Sequence, residues 1–113
     1  MSLSFQELHQ LTRVAVTRAE ELQVPVVISI VDANGTQTVT WRMPDALLVS
    51  SELAPKKAWT AVAMKTATHE LTSEVQPGAA LYGLESHMQG KVVTFGGGYA
   101  LWREGSWHQR GKR

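Results

Sequence analysis

The sequence has no cysteine, which excludes a disulfide framework and any thiolate metal site. It also lacks an apolar run long enough to cross a bilayer. The first residues, "MSLSFQELHQ", do not place a basic stretch before an apolar one, so no secretory signal is read there. These absences argue against a membrane partner and make the cytoplasm the expected compartment. An excess of one charge is missing too: eleven Lys and Arg stand against ten Asp and Glu, a net charge of +1. The small excess sits at the end, where Arg103, Arg110, Lys112 and Arg113 oppose Glu104. Nucleic-acid binding spreads basic residues over a face of the fold, so this pattern argues against it. What is present is ordinary for a globular domain: 113 residues, 43% apolar and 19% charged, enough for a single core.

Local patterns assign the elements. Ser4 and Glu7 have capping-box spacing, and Phe5, Leu8, Leu11, Ala15, Ala19 and Leu22 then recur at helical period as one apolar face. Pro25 is expected to end that helix. A β-branched run from Val26 to Val31, the turn Asp32-Ala33-Asn34-Gly35 and a strand to Trp41 predict a hairpin, because Asn-Gly tolerates positive φ. The first of these strands is apolar at nearly every position, which predicts a central place in its sheet. Pro55 is tolerated in a first helical turn, so the second helix is expected to start near Ala54, with Trp59, Val62, Ala63 and Thr66 facing the core. A short helix is expected around Thr68 to Glu74, and "QPGAALYGLE" reads as a loop. "KVVTF" and "YALW" read as two strands joined by a glycine turn. Helices set apart from antiparallel strands define an α+β domain.

Chemistry is harder to find. "HELTS" at His69 fails as a zinc-protease motif, since Ser73 stands where a second imidazole is needed on the same helix face. His69 then reads as an ordinary helix-end residue, and His87 as a solvent-exposed one in a polar loop. His9 lies at the edge of the first helix's apolar stripe. It is either a half-buried histidine satisfied by a neighbour or an axial ligand to a flat apolar cofactor such as heme. "FGGGY", Phe95 to Tyr99, lacks both the Walker spacing and a following helix, so it fits a tight turn or a close backbone approach to a ligand. Asp32, Asp45 and Glu52 have no fixed mutual geometry, and Asp32 is accounted for as the first turn residue. No catalytic residue is assigned.

Four segments in order carry a resemblance: "VPVVISIVDANG" at 24–35, "RMPDALLVSSELAPKKAWTA" at 42–61, "QPGAALYGLE" at 76–85 and "VTFGGGYAL" at 93–101. Together they resemble the GlcG/HbpS family of small heme-binding proteins. The stretch "THELTSEVQPG" is most similar to the version fused behind the cobalamin adenosyltransferase domain of 1,2-propanediol-utilisation proteins. The resemblance implies a profilin-like antiparallel sheet with helices packed on it. It implies a non-catalytic module for heme, or less readily a corrinoid, that forms homo-oligomers and accompanies an adenosyltransferase domain, in the cytoplasm or within a bacterial microcompartment. It places Phe95, Gly96, Gly97, Gly98 and Tyr99 in the ligand-facing loop, with His9 as the candidate axial ligand to heme iron. The alternative is an oligomerisation or tethering domain with no ligand of its own.

The ending departs from the family. Members continue with a Gly-rich strand and a C-terminal helix, whereas this chain has "SWHQRGKR". Read one base later, codons for Trp-His-Gln-Arg-Gly-Lys-Arg admit Gly-Ile-Ser-Gly-Ala-Ser, which matches the missing strand. The expectation is a family domain over residues 1–105 and an aberrant basic tail over 106–113, read in a shifted frame and without the last helix. Ser106 to Arg110 would run extended in the vacant lane, with Trp107 turned inward.

Overall fold

The structure is a computed structural model that describes residues 3–101. The expectations for the tail from Ser106, for Trp107 and for the missing helix fall outside those residues. The chain divides into two compact units, Met1–Pro55 and Lys56–Arg113.

The first unit opens with α1, Phe5–Leu22. The expected capping box is formed: Ser4 Oγ accepts from the Glu7 N–H at 3.1 Å, and Glu7 Oε1 accepts from the Ser4 N–H at 2.9 Å. Two N–H groups that a helix start leaves unpaired are thereby satisfied. The helix ends before Pro25, because Gln23 turns left-handed (φ 59°) and its N–H closes back on Ala19 and Glu20. The apolar face is shorter than its pattern. Ala19 is buried and Leu8, Leu11 and Ala15 are half-buried, but Phe5 and Leu22 at the two ends are exposed.

Strands β1 (Val27–Val31) and β2 (Gln37–Arg42) form the expected antiparallel hairpin, and α1 packs against β1. Asp32 organises the turn, its carboxylate accepting from the N–H groups of Asn34 and Thr36 at 2.9 and 3.0 Å. Only Gly35 takes positive φ (84°), so Asn34 is not the left-handed residue that the Asn-Gly rule suggests. The turn is the longer kind, closed on Asp32 and followed by one left-handed glycine. Among the described residues β1 pairs with β2 alone, so its expected central place is not seen. Met43 and Ala46 are buried in the turn that follows, where the Arg42 guanidinium donates to the Ala46 carbonyl at 2.7 Å.

Helix α2 runs Leu48–Met64, with Pro55 inside it, and so begins a turn and a half before the expected start near Ala54. Proline removes one helical hydrogen bond, at a general cost of about 3 kcal/mol. That single defect does not end the helix, because good helix formers stand on both sides of it.

In the second unit, Thr60 and Ala61 of α2 are the fully buried residues; Trp59 and Val62 are half-buried and Ala63 is exposed. The buried side of the helix is therefore rotated from the face expected, with a threonine at its centre. Two 3₁₀ turns, Thr68–Leu71 and Ser73–Val75, stand where a short helix was expected, and they bury Thr68, Leu71 and Val75. A short helix α3, Leu84–His87, interrupts the segment read as loop. Val92, Val93 and Thr94 complete the core.

The expected second hairpin is not formed within the described residues: residues 91–101 belong to no strand and bend at 95–97. The reason is where their hydrogen bonds go. Thr60 Oγ1 accepts from the Val93 N–H at 3.0 Å, and Thr72 Oγ1 donates to the Thr94 carbonyl at 2.6 Å. Side-chain hydroxyls occupy positions that a neighbouring strand's backbone would otherwise fill.

Candidate functional site

The sequence candidates lie in both units. His9, in the first unit, is one helical turn beyond Phe5, and the two rings stack at 6.2 Å between centroids and 7° between planes. His9 is exposed rather than half-buried, and its imidazole has no hydrogen-bond partner among the described residues. Of its two readings, the half-buried histidine satisfied by a neighbour does not describe it. An accessible imidazole beside an exposed phenyl face has the chemistry to meet a flat apolar group at its metal.

The glycine loop belongs to the second unit, and three segments build its surroundings. The Lys57-Ala58-Trp59-Thr60-Ala61 stretch of α2 supplies the first. Ala61 packs with no exposure, and Thr60 Oγ1 donates to the Lys56 carbonyl at 2.7 Å while accepting from Val93. The first 3₁₀ turn supplies the second. The Thr68 N–H donates to the Gly98 carbonyl at 2.9 Å, and the Gly98 N–H donates back to Thr68 Oγ1 at 2.8 Å. The third is Glu85 of α3, whose carboxylate accepts from Thr94 Oγ1 at 2.8 Å. The loop is thus anchored on both sides, through Val93 and Thr94 before it and Gly98 after it.

The three glycines do different work. A Cβ on Gly98 would lie 2.4 Å from the Lys57 carbonyl oxygen and 2.8 Å from Thr68 Cγ2. Gly98 is buried, and only glycine lets the loop backbone approach α2 this closely. Gly97 has φ +129°, and a Cβ there would lie 2.9 Å from Lys57 Nζ. Gly96 leaves ordinary room beside His69. Between them, Gly96 and Gly97 are exposed, as are the rings of Phe95 (50%) and Tyr99 (63%).

Two residues join this loop that the sequence did not single out. The Lys57 ammonium sits 4.9 Å from the centroid of the Phe95 ring, a cation–π contact. His69, read as an ordinary helix-end residue, is exposed with its ring 6.1 Å from that of Tyr99. The available signal was the Lys-Ala-Trp-Thr-Ala motif, which places Lys57 and Thr60 one helical turn apart. His87 is exposed at the end of α3, and Asp32 is engaged in its turn. Among the described residues no group of three or more His, Cys, Asp or Glu could hold a bare metal ion. No described helix is long and apolar enough to cross a membrane.

Comparison with known proteins gives this geometry relatives. The chain is 97% identical over 105 residues to the corrinoid adenosyltransferase PduO of Citrobacter freundii, covering 93% of this chain and 31% of that protein. It thus spans about a third of the length of that protein and of its Salmonella typhimurium counterpart, which is 85% identical over 105 residues. A solved PduOC:heme complex superposes with a TM-score of 0.89 at 85% identity, over 93% of this chain and 76% of the other. Klebsiella pneumoniae protein ORFY superposes with a TM-score of 0.88 at 36% identity, over 92% of this chain and 72% of the other. Residues 3–108 match the family described as haem degrading protein HbpS-like, and the chain belongs to that HbpS-like family.

Proposed function

We propose that this chain is a heme-binding module, non-catalytic in itself, that serves as an accessory to a corrinoid adenosyltransferase. The observation that carries the reading is the close structural match, at 85% identity, to a protein solved as a heme complex. The local chemistry fits. When bound, heme supplies a flat apolar face, two carboxylates and an iron with axial positions. In the first unit His9 offers an exposed imidazole beside Phe5. In the second unit Phe95 and Tyr99 offer exposed ring faces around a glycine loop. Each is proposed on its own unit's geometry, and each has its own variant.

The test is a hemin titration followed by absorption. Binding is expected to shift the Soret band, and His9→Ala is expected to weaken binding at least about tenfold, equivalent to 1.4 kcal/mol. An unshifted Soret band would refute the reading and favour a domain that only assembles or tethers. The match to a 97%-identical adenosyltransferase supports a fused or associated enzyme domain as partner, within the propanediol-utilisation setting that the resemblance implies. Corrinoid binding is the weaker alternative, and competition by cobalamin against hemin tests it. The family's description favours a second reading, in which bound heme is consumed. Loss of Soret absorbance under oxygen with an added reductant, faster than for free hemin, would establish that reading.

A further inference from the structure

Among the described residues Lys57 has no counter-ion: no carboxylate pairs with it, and the ion pair present there, Arg18 with Glu21, lies on α1. Its ammonium instead rests on the face of Phe95, in space that exists because residue 97 has no Cβ. Next to it, Gly96 and Gly97 are exposed, and their backbone N–H groups have no acceptor among the described residues. Gly98, the third member, is already bonded to Thr68. One cationic donor thus stands beside an exposed loop that carries two unclaimed backbone donors and the rings of Phe95 and Tyr99. Free backbone N–H groups beside a lysine are the elements from which proteins build anion receptors.

We propose that Lys57, Gly96 and Gly97 form a carboxylate anchor for a planar, acid-bearing ligand. The inference rests on the heme reading above for the ligand's identity, and the carboxylate is then a heme propionate. A charge-assisted hydrogen bond to a carboxylate is stronger than a cation–π contact at an exposed ring. The ammonium therefore leaves Phe95 when the carboxylate arrives. That movement bares the ring face, which can then stack on the ligand's plane. Lys57 acts twice: it holds the acid group, and by departing it opens the aromatic surface.

The experiment compares hemin with hemin dimethyl ester, which keeps the macrocycle and iron but has no free carboxylate. Both are titrated into the wild-type chain, Lys57→Met and Lys57→Arg, with thermal melts confirming that each variant is folded. Wild type should bind hemin about tenfold more tightly than the ester, the scale of one charge-assisted bond. Lys57→Met should erase that preference by losing hemin affinity while holding or gaining ester affinity, and Lys57→Arg should restore much of it. In parallel, benzoate is titrated into the ligand-free chain while the Gly96 and Gly97 amide resonances are followed by NMR. Their shifts should saturate in wild type and disappear in Lys57→Met.

If wild type binds hemin and its ester equally, the anchor is wrong and the heme reading survives. If hemin does not bind but benzoate moves the glycine amides in a Lys57-dependent way, the anchor stands and the heme reading falls. If neither ligand binds, both fall.

Discussion

Replacing Gly98 by alanine adds one methyl group where the structure has no room for it. The new carbon would lie 2.4 Å from the Lys57 carbonyl oxygen, 2.8 Å from Thr68 Cγ2 and 2.9 Å from the Lys57 carbonyl carbon. Two of those three atoms are helix backbone, which cannot rotate aside as a flexible side chain can. The loop must therefore back away from α2. Doing so stretches the reciprocal pair between Gly98 and Thr68, now at 2.8 and 2.9 Å, in a part of the chain where both residues are buried. Overpacking a buried site typically costs about 1–3 kcal/mol, and weakening two buried hydrogen bonds adds roughly 1 kcal/mol each. The expected destabilisation of Gly98→Ala is about 3–5 kcal/mol, which for a domain of this size lowers the melting temperature by roughly 15–20 °C. Circular dichroism melts measure it. Gly78→Ala is the control: φ there is +89°, but nothing lies within 4 Å of the added carbon, so only the conformational penalty of about 1 kcal/mol applies. Equal losses for the two variants would refute the steric argument and leave only a general preference for glycine in turns.

Further outcomes follow from the hydroxyl contacts and the caps. Thr60→Val keeps the shape of a fully buried side chain but strands the Val93 N–H, and should cost about 1–3 kcal/mol in chemical denaturation, with Thr60→Ser largely restoring stability. Ser4→Ala removes half of a capping box and should cost about 1 kcal/mol, read as fraying of the first helix by hydrogen exchange. Asp32→Ala deletes two bonds to the turn backbone and should destabilise the hairpin by about 1 kcal/mol, while Asp32→Asn should retain most of that stability.

The parts of this fold that the sequence makes legible are those settled within a few residues. Ser4 and Glu7 are three apart and form the capping box they spell. Asp32 and Gly35 close the turn they announce, although Asn34 does not adopt the conformation its pairing with glycine suggests. Pro55 shows the limit of a local rule. It reads as a helix start, yet the helix carries it as an internal defect. The candidate site was legible only in its glycines and aromatic residues, because its other members come from far along the chain. Thr60 meets Val93 across 33 positions and Thr68 meets Gly98 across 30. A threonine on a helix gives no sign that it will receive a distant backbone amide, and so Lys57 and His69 could not be placed beside the loop from spacing alone. The second hairpin is not formed among the described residues for the same reason. "KVVTF" has strand composition, but among the described residues the Val93 N–H and the Thr94 carbonyl are bonded to hydroxyl groups, not to a neighbouring strand.

Hydroxyl anchoring has a consequence for how this segment tolerates change. A β-ladder is built from main chain and is indifferent to which side chains its neighbouring strand carries, so most substitutions there leave the bonds intact. Along residues 93–98 the anchors are Thr60, Thr68 and Thr72, and each bond exists only while a hydroxyl stands at that position. Apart from the main-chain bond from the Thr68 N–H to the Gly98 carbonyl and the bond from Thr94 to Glu85, the attachment of the loop to its scaffold is thus written in three codons. Single substitutions could loosen it one point at a time, from either end, while the helix and turns beneath stay folded.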